Sequence, residues 1–189
     1  VYKRQVNSFI ATQIKSGLIL IDQQAAHERI LYERFISYQE NPISTQQYLF
    51  PQTIELTTTD YALMNALQNE VRLLGFQFTI QDNNEIVIEG IPTGLPKEAE
   101  HNLLETFIEQ FKNNKSELKL NTQESLARSL AVRSGTKKGK TLTQMEMRAL
   151  IDQLFACQNP NYAPNGTPTY IKLDTDTIDN LFTNKKENQ

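Results

Sequence analysis

Apolar positions first gather in two short runs, residues 6–14 (VNSFIATQI) and 18–21 (LILI), which read as strands joined by the turn Lys15-Ser16-Gly17. The second run is apolar at every position, a pattern that predicts a strand covered on both faces. The spacing then changes to a helical one over about 24–38, with Ile30, Leu31 and Phe35 on the apolar side. Asn41-Pro42 breaks it, and a polar link over 43–47 leads to a segment with its own rhythm. A helix over 60–74 places Tyr61, Met64, Leu67, Val71 and Leu74 on one side, with Asp60 as its cap and Gly75 as its end. Strands over 76–81 and 85–91 flank the turn Asp82-Asn83-Asn84. A helix over 97–112 carries Leu103, Leu104, Phe107, Ile108 and Phe111, completing a helix–hairpin–helix unit. Helices over 122–134 and 144–156 follow, the second opened by a capping box of Thr143 and Glu146. A turn-rich stretch from Asn159 to Pro168 precedes a strand over 170–173, a short helix near 176–182 and a frayed tail over 184–189.

Composition narrows the class. In 189 residues, 39% are hydrophobic and 22% charged, which describes a folded chain with enough apolar material for a core. No apolar run approaches the roughly 20 residues of a membrane span, and no secretory signal is visible at the start. A formal charge of −3 argues against a domain built mainly to grip the DNA backbone. The lone Cys157 excludes an intrachain disulfide and a thiolate zinc cluster, and suits a reducing cytoplasm.

Three segments carry candidate chemistry. The first is 22–33 (DQQAAHERILYE), where a carboxylate ends a buried strand and the helix after it puts Gln24 and Glu28 one turn apart on one face. The two carboxylates of Asp22 and Glu28, with Gln24 on the same face, could together hold a divalent cation through oxygen ligands. The simpler reading makes Asp22 a helix cap and sets Glu28 near the positive helix end. The second is 46–51 (QQYLFP), either an exposed extended segment offering Leu49 and Phe50 to a partner's pocket, or a short strand with both in the core. The third is 135–141 (GTKKGKT). Three residues separate its glycines where a phosphate loop needs four, so it reads as a solvated basic loop. Its Lys137, Lys138 and Lys140 offer a weak contact to DNA. No set of residues defines a catalytic triad or dyad.

The segment 22–33 resembles the metal-binding motif D-Q-H-A-x-x-E-x-x-x-x-E of endonuclease-type C-terminal domains in the MutL family of bacterial mismatch-repair proteins. Asp22, Gln23, Ala25, Glu28 and Glu33 match it, and Gln24 stands where the family has His. The family's late C-P-H-G-R-P segment reads Ala163-Pro164-Asn165-Gly166-Thr167-Pro168, which keeps the turn formers and loses both ligands. Its A-C-K/R segment reads Ala131-Val132-Arg133. Neither Cys157, six residues before Ala163, nor His27, about 100° around the helix from Glu28, replaces what is missing. Gln46, Leu49 and Pro51 fit Q-x-x-L-x-P, similar to the family's sliding-clamp motif, and Phe50 echoes the Leu-Phe ending of clamp-binding peptides.

The resemblance implies an α+β fold of two subdomains. A discontinuous dimerisation subdomain (1–45 and 122–189) would receive an inserted helix-hairpin-helix regulatory subdomain (46–121) carrying the clamp motif at its entry. It also implies a homodimer that tethers N-terminal ATPase domains, so that ATP is a cofactor only of that absent part. The sliding clamp of the replicase and MutS would be partners, DNA a weak or indirect one, and the location cytoplasmic and nucleoid-associated, with no membrane. With the metal ligands lost, this domain leans away from enzymatic activity. The alternative is a latent nicking endonuclease using manganese or magnesium at Asp22 and Glu28.

Overall fold

A computed structural model describes residues 3–5, 8–95, 103–118, 121–136 and 138–183. Its described residues form a mixed α+β fold of two small antiparallel sheets and six helices. The chain divides into two compact units, 1–30 with 135–189 and 31–134, whereas the sequence reading drew boundaries at 45/46 and 121/122.

In the first unit the sheet order is β1 (Lys3–Gln5), β2 (Phe9–Ile14), β3 (Gly17–Asp22), β7 (Tyr170–Asp174). The register pairs Ile10 with Ile21 and Ile21 with Tyr170, so these three share one face. That face, with Ile19, packs on Ala26 of α1 (Gln23–Ile36) and on Met147, Leu150, Ile151 and Leu154 of α5 (Gln144–Ala156). The capping box at Thr143 and Glu146 opens α5 as the pattern predicts. Among the described residues, strand β3 is not covered on both faces. Ile19 and Ile21 are buried, but Leu18 and Leu20 are only half-buried. A short helix, α6 (Thr175–Thr183), follows β7 directly. The tail over 184–189 lies outside the described residues, as do positions 6 and 7 of the first predicted strand.

In the second unit the sheet order is β4 (Thr45–Glu55), β6 (Glu85–Pro92), β5 (Gln77–Ile80). Asn83 and Asn84 both take left-handed backbone angles (φ 63° and 62°), as a tight two-residue hairpin turn requires. Helix α2 (Thr58–Leu73) is capped by Thr57, not Asp60. The Thr57 hydroxyl oxygen accepts from the Asp60 amide, while Asp60 favours the positive end of the first turn and pairs with Lys112 at 2.8 Å. Helix α3 (Leu103–Leu118) carries the predicted apolar stripe of Leu103, Leu104, Phe107, Ile108 and Phe111 and itself runs on past residue 112, while 97–102 fall outside the described residues. Phe76 and Phe107 meet with ring centroids 5.6 Å apart, in a cluster with Phe35, Tyr38, Phe78 and Phe111. Helix α4 (Thr122–Ser134) adds Leu126, Ala127, Leu130 and Ala131 to this cluster, and Ser129 receives a 2.9 Å bond from Asn114 of α3. That packing, together with Leu31 and Phe35 of α1, is why the unit runs from 31 to 134.

Candidate functional site

Strand β3 ends on Asp22, where the backbone turns into α1. One carboxylate oxygen of Asp22, Oδ1, accepts from the amides of Gln24 (2.9 Å) and Ala25 (3.0 Å), which caps the helix as the simpler reading has it. One turn on, Gln24 Nε2 donates to Glu28 Oε1 at 2.8 Å, and Glu28 is only 2% exposed. A tight loop comes up beside them. Ala163 N donates to Thr167 O (2.8 Å), Gly166 N to Ala163 O (2.9 Å), and Thr167 N to Asn165 Oδ1 (2.9 Å). Gly166 has φ 83°, a conformation that glycine takes at little cost. The outcome is a polar cleft of about 140 Å³ lined by Asp22, Gln24, Ala25, Glu28, Lys138, Asn165 and Thr167. The three predicted site residues Asp22, Gln24 and Glu28 therefore do come together.

The basic loop is fastened to the same helix. Gln23 Nε2 donates to the Lys140 carbonyl at 3.4 Å, and the Thr136 amide donates to His27 Nδ1 at 2.9 Å. With Nδ1 accepting, the His27 proton resides on Nε2. Burial, with Lys140 nearby, pushes the imidazole pKa down to about 4, so His27 is neutral at pH 7. Lys138 is exposed at the cleft and Lys137 lies outside the described residues. Cys157 donates its thiol to the Gln153 carbonyl at the end of α5 and does not line the cleft.

A second feature sits on β4. Pairing with β6 joins Gln47 to Gly90 and resumes at Gln52 with Ile88, so Tyr48, Leu49, Phe50 and Pro51 leave the ladder. Proline is tolerated at such a bulge because no ladder donor is needed there. Tyr48 turns in and packs on the core of its unit, while Leu49 is 87% and Phe50 78% exposed. The alternative that buried Leu49 and Phe50 as core strand residues is overturned. Gln46 and Pro51 are exposed on either side. A bulge that presents two large apolar side chains to water, with its own aromatic residue as anchor, has the form of a recognition element.

Residues 4–142 match the sequence model of the family described as the MutL C terminal dimerisation domain. The chain belongs to that family. It is similar to proteins named DNA mismatch repair protein MutL from Chloroherpeton thalassium (40% identical over 177 residues, 93% of this chain and 28% of that protein). The same name is borne by similar proteins of Chlorobium chlorochromatii (38% over 180 residues) and Prosthecochloris aestuarii (39% over 180 residues). These matches cover 95% of this chain and 28% and 29% of those proteins respectively. The chain thus spans less than a third of the length of these MutL relatives. No helix among the described residues is long and apolar enough to cross a membrane.

The cleft stands where nuclease-type MutL members are expected to hold a metal, and its donors do not fit zinc. A tight zinc site draws on thiolates and imidazoles, and this lining supplies two carboxylates, two amides and a hydroxyl. Asp22 Oδ1 is engaged by two amides, Gln24 turns its amide nitrogen toward Glu28, and Asn165 Oδ1 is taken by Thr167. Lys138 adds a positive charge to the lining, which opposes a second cation there. Among the described residues no three His, Cys, Asp or Glu side chains cluster as metal ligands.

One feature of this MutL domain escaped the sequence reading. The outer face of the β1–β2–β3–β7 sheet carries Ala11, Leu20 and Ile171 in one paired row, with Phe9 beside it. Phe9 is 42% and Ile171 50% exposed, and together with Leu20, Pro168 and Tyr170 they line an apolar hollow of about 260 Å³ with Asp22 at its rim. The unbroken apolar run over 18–21 was the signal, since a strand apolar on both sides needs a second cover.

Proposed function

We propose that this chain is the joint and docking piece of a MutL mismatch-repair protein. It pairs two copies through the outer face of the first unit and recruits the replicase sliding clamp through the bulge at 46–51. The observation that carries the reading is the bulge, which takes Leu49 and Phe50 out of a strand whose neighbours stay paired. Exposing two large apolar side chains is unfavourable in isolation, and burial in a partner's pocket recovers it. Gln46, Leu49, Phe50 and Pro51 make up the docking segment, with the proline limiting the states to be ordered on binding. In this reading the first unit acts as the dimerisation part and 31–134 as the regulatory part. Dimerisation keeps two N-terminal ATPase arms at high effective concentration, so their ATP-driven closure is intramolecular. MutS and DNA meet the assembled cytoplasmic, nucleoid-associated protein, with Lys138 and Lys140 as weak backbone contacts.

Two measurements test the two halves separately. Leu49→Ala with Phe50→Ala should weaken binding to the sliding clamp about thirtyfold (about 2 kcal/mol). Unfolding free energy should stay within about 0.5 kcal/mol, as for exposed positions generally. Unchanged clamp affinity in the folded double variant would remove the docking role. For the joint, Ile171→Asp places a charge on the outer face without touching the inner core. Sedimentation equilibrium should show the dimer dissociation constant rising at least about tenfold, the effect of losing roughly 1.4 kcal/mol. A dimer of unchanged affinity would move the interface elsewhere on the chain.

A further inference from the structure

We propose that Asn165 is a self-modifying residue, whose side-chain amide is converted to a carboxylate by attack of its own following peptide nitrogen. Asn165 is followed by Gly166, and no other asparagine in the chain precedes a glycine. The missing Cβ leaves the Gly166 nitrogen accessible to the side chain before it. The Asn165 side chain is also folded back over that peptide. Its Oδ1 accepts from Thr167 N at 2.9 Å, a donor that supports the negative charge growing on Oδ1 during attack. Asn165 and Gly166 are both exposed, so water and base reach them.

The chemistry balances with water alone. Base removes the Gly166 amide proton, and the nitrogen bonds to Asn165 Cγ. The Cγ–Nδ2 bond breaks, and the NH2 group takes up the one proton the base removed and leaves as ammonia, giving a cyclic succinimide. Water then adds to one of the two ring carbonyls, and the ring opens to aspartate or isoaspartate at 165. The Gly166 N–H is held by the Ala163 carbonyl at 2.9 Å, which makes the folded loop react more slowly than the same sequence unfolded. The product matters because of where it stands. Asn165 lines the cleft with Asp22, Glu28 and Lys138, so conversion adds a third carboxylate to a wall that now presents an amide.

The test is a time course on the folded chain in mildly alkaline buffer, read by peptide mapping for the mass gain of amide-to-acid conversion. Isoaspartate is detected by enzymatic methyl labelling, and the Asn165→Asp chain marks the anion-exchange position of the product. Conversion at Asn165 should outrun that at every other asparagine, rise with pH, and vanish at this position in Asn165→Gln, whose longer side chain would need a six-membered ring. The same chain in urea is the control for intrinsic reactivity. Conversion in urea without any in the folded chain, or conversion spread evenly over the asparagines, would overturn the proposal.

Discussion

Gly17→Ala is expected to cost about 4 kcal/mol, the sum of a strained backbone and an overpacked contact. Gly17 closes the turn between β2 and β3 at φ +146°, where a side chain is rarely accommodated. A Cβ there would stand 2.1 Å from the Leu173 carbonyl oxygen and 2.9 Å from the Asp174 Cα. Both neighbours are main-chain atoms of β7, paired with Leu18 and Gly17 themselves, so relief means parting β7 from β3. A folded domain has only about 5–15 kcal/mol in hand, and the variant should lose a large share of it. Gly139→Ala separates the two causes. Gly139 also has positive φ, +90°, but no atom of the described residues lies within 4 Å of its Cβ position, so only the backbone cost of about 1–2 kcal/mol remains. Urea unfolding of both variants gives the comparison. Equal midpoints would mean that the close approach of β7 has no energetic consequence. Because Ile171 rides on β7, the Gly17 variant should also lose the outer face from which the first unit is proposed to dimerise.

The elements legible in the sequence were those whose pattern is local. Helix α2 and the hairpin β5–β6 follow from the 3.6-residue stripe of Met64, Leu67 and Val71 and from two asparagines that tolerate left-handed angles. Asp22, Gln24 and Glu28 could be placed together because a strand end and one helical turn bring them there. Strand β4 was legible only as one of two readings of 46–51, a short strand or an exposed extended segment. Its sequence TQQYLFPQTIE lacks alternation and contains a proline, and its bulge is defined only by pairing with β6. Helix α4 carries small residues and serines on its buried side, so nothing local announced that it would pack with α3. Asn165 and Thr167 enter the cleft from far along the chain, and only the resemblance of 163–168 to a family loop pointed to them.

The stability of the domain should fall as pH drops from about 6.5 toward 4, and His27 should account for about 3 kcal/mol of the fall. In the folded chain burial, reinforced by Lys140, lowers the imidazole pKa to about 4. In the unfolded chain it titrates near the ordinary 6.5. Between these values the unfolded chain binds a proton that the folded chain refuses, so protonation favours unfolding there. Above about 6.5 neither state is protonated and the full stability is present; below about 4 the whole penalty has been taken. The structural cost has a definite place. A protonated Nδ1 can no longer accept from the Thr136 amide, and Thr136 is a buried residue at the root of the basic loop. Carboxylates also titrate on the way down, so the comparison needs His27→Gln, which removes the imidazole and leaves them in place. Urea unfolding at pH 7 and pH 5 should show the parent losing about 2 kcal/mol more than the variant over that interval. Parallel pH profiles for the two chains would show that His27 is not held neutral by its surroundings. The clasp between α1 and the loop bearing Lys138 and Lys140 would then need another origin than Thr136 and His27.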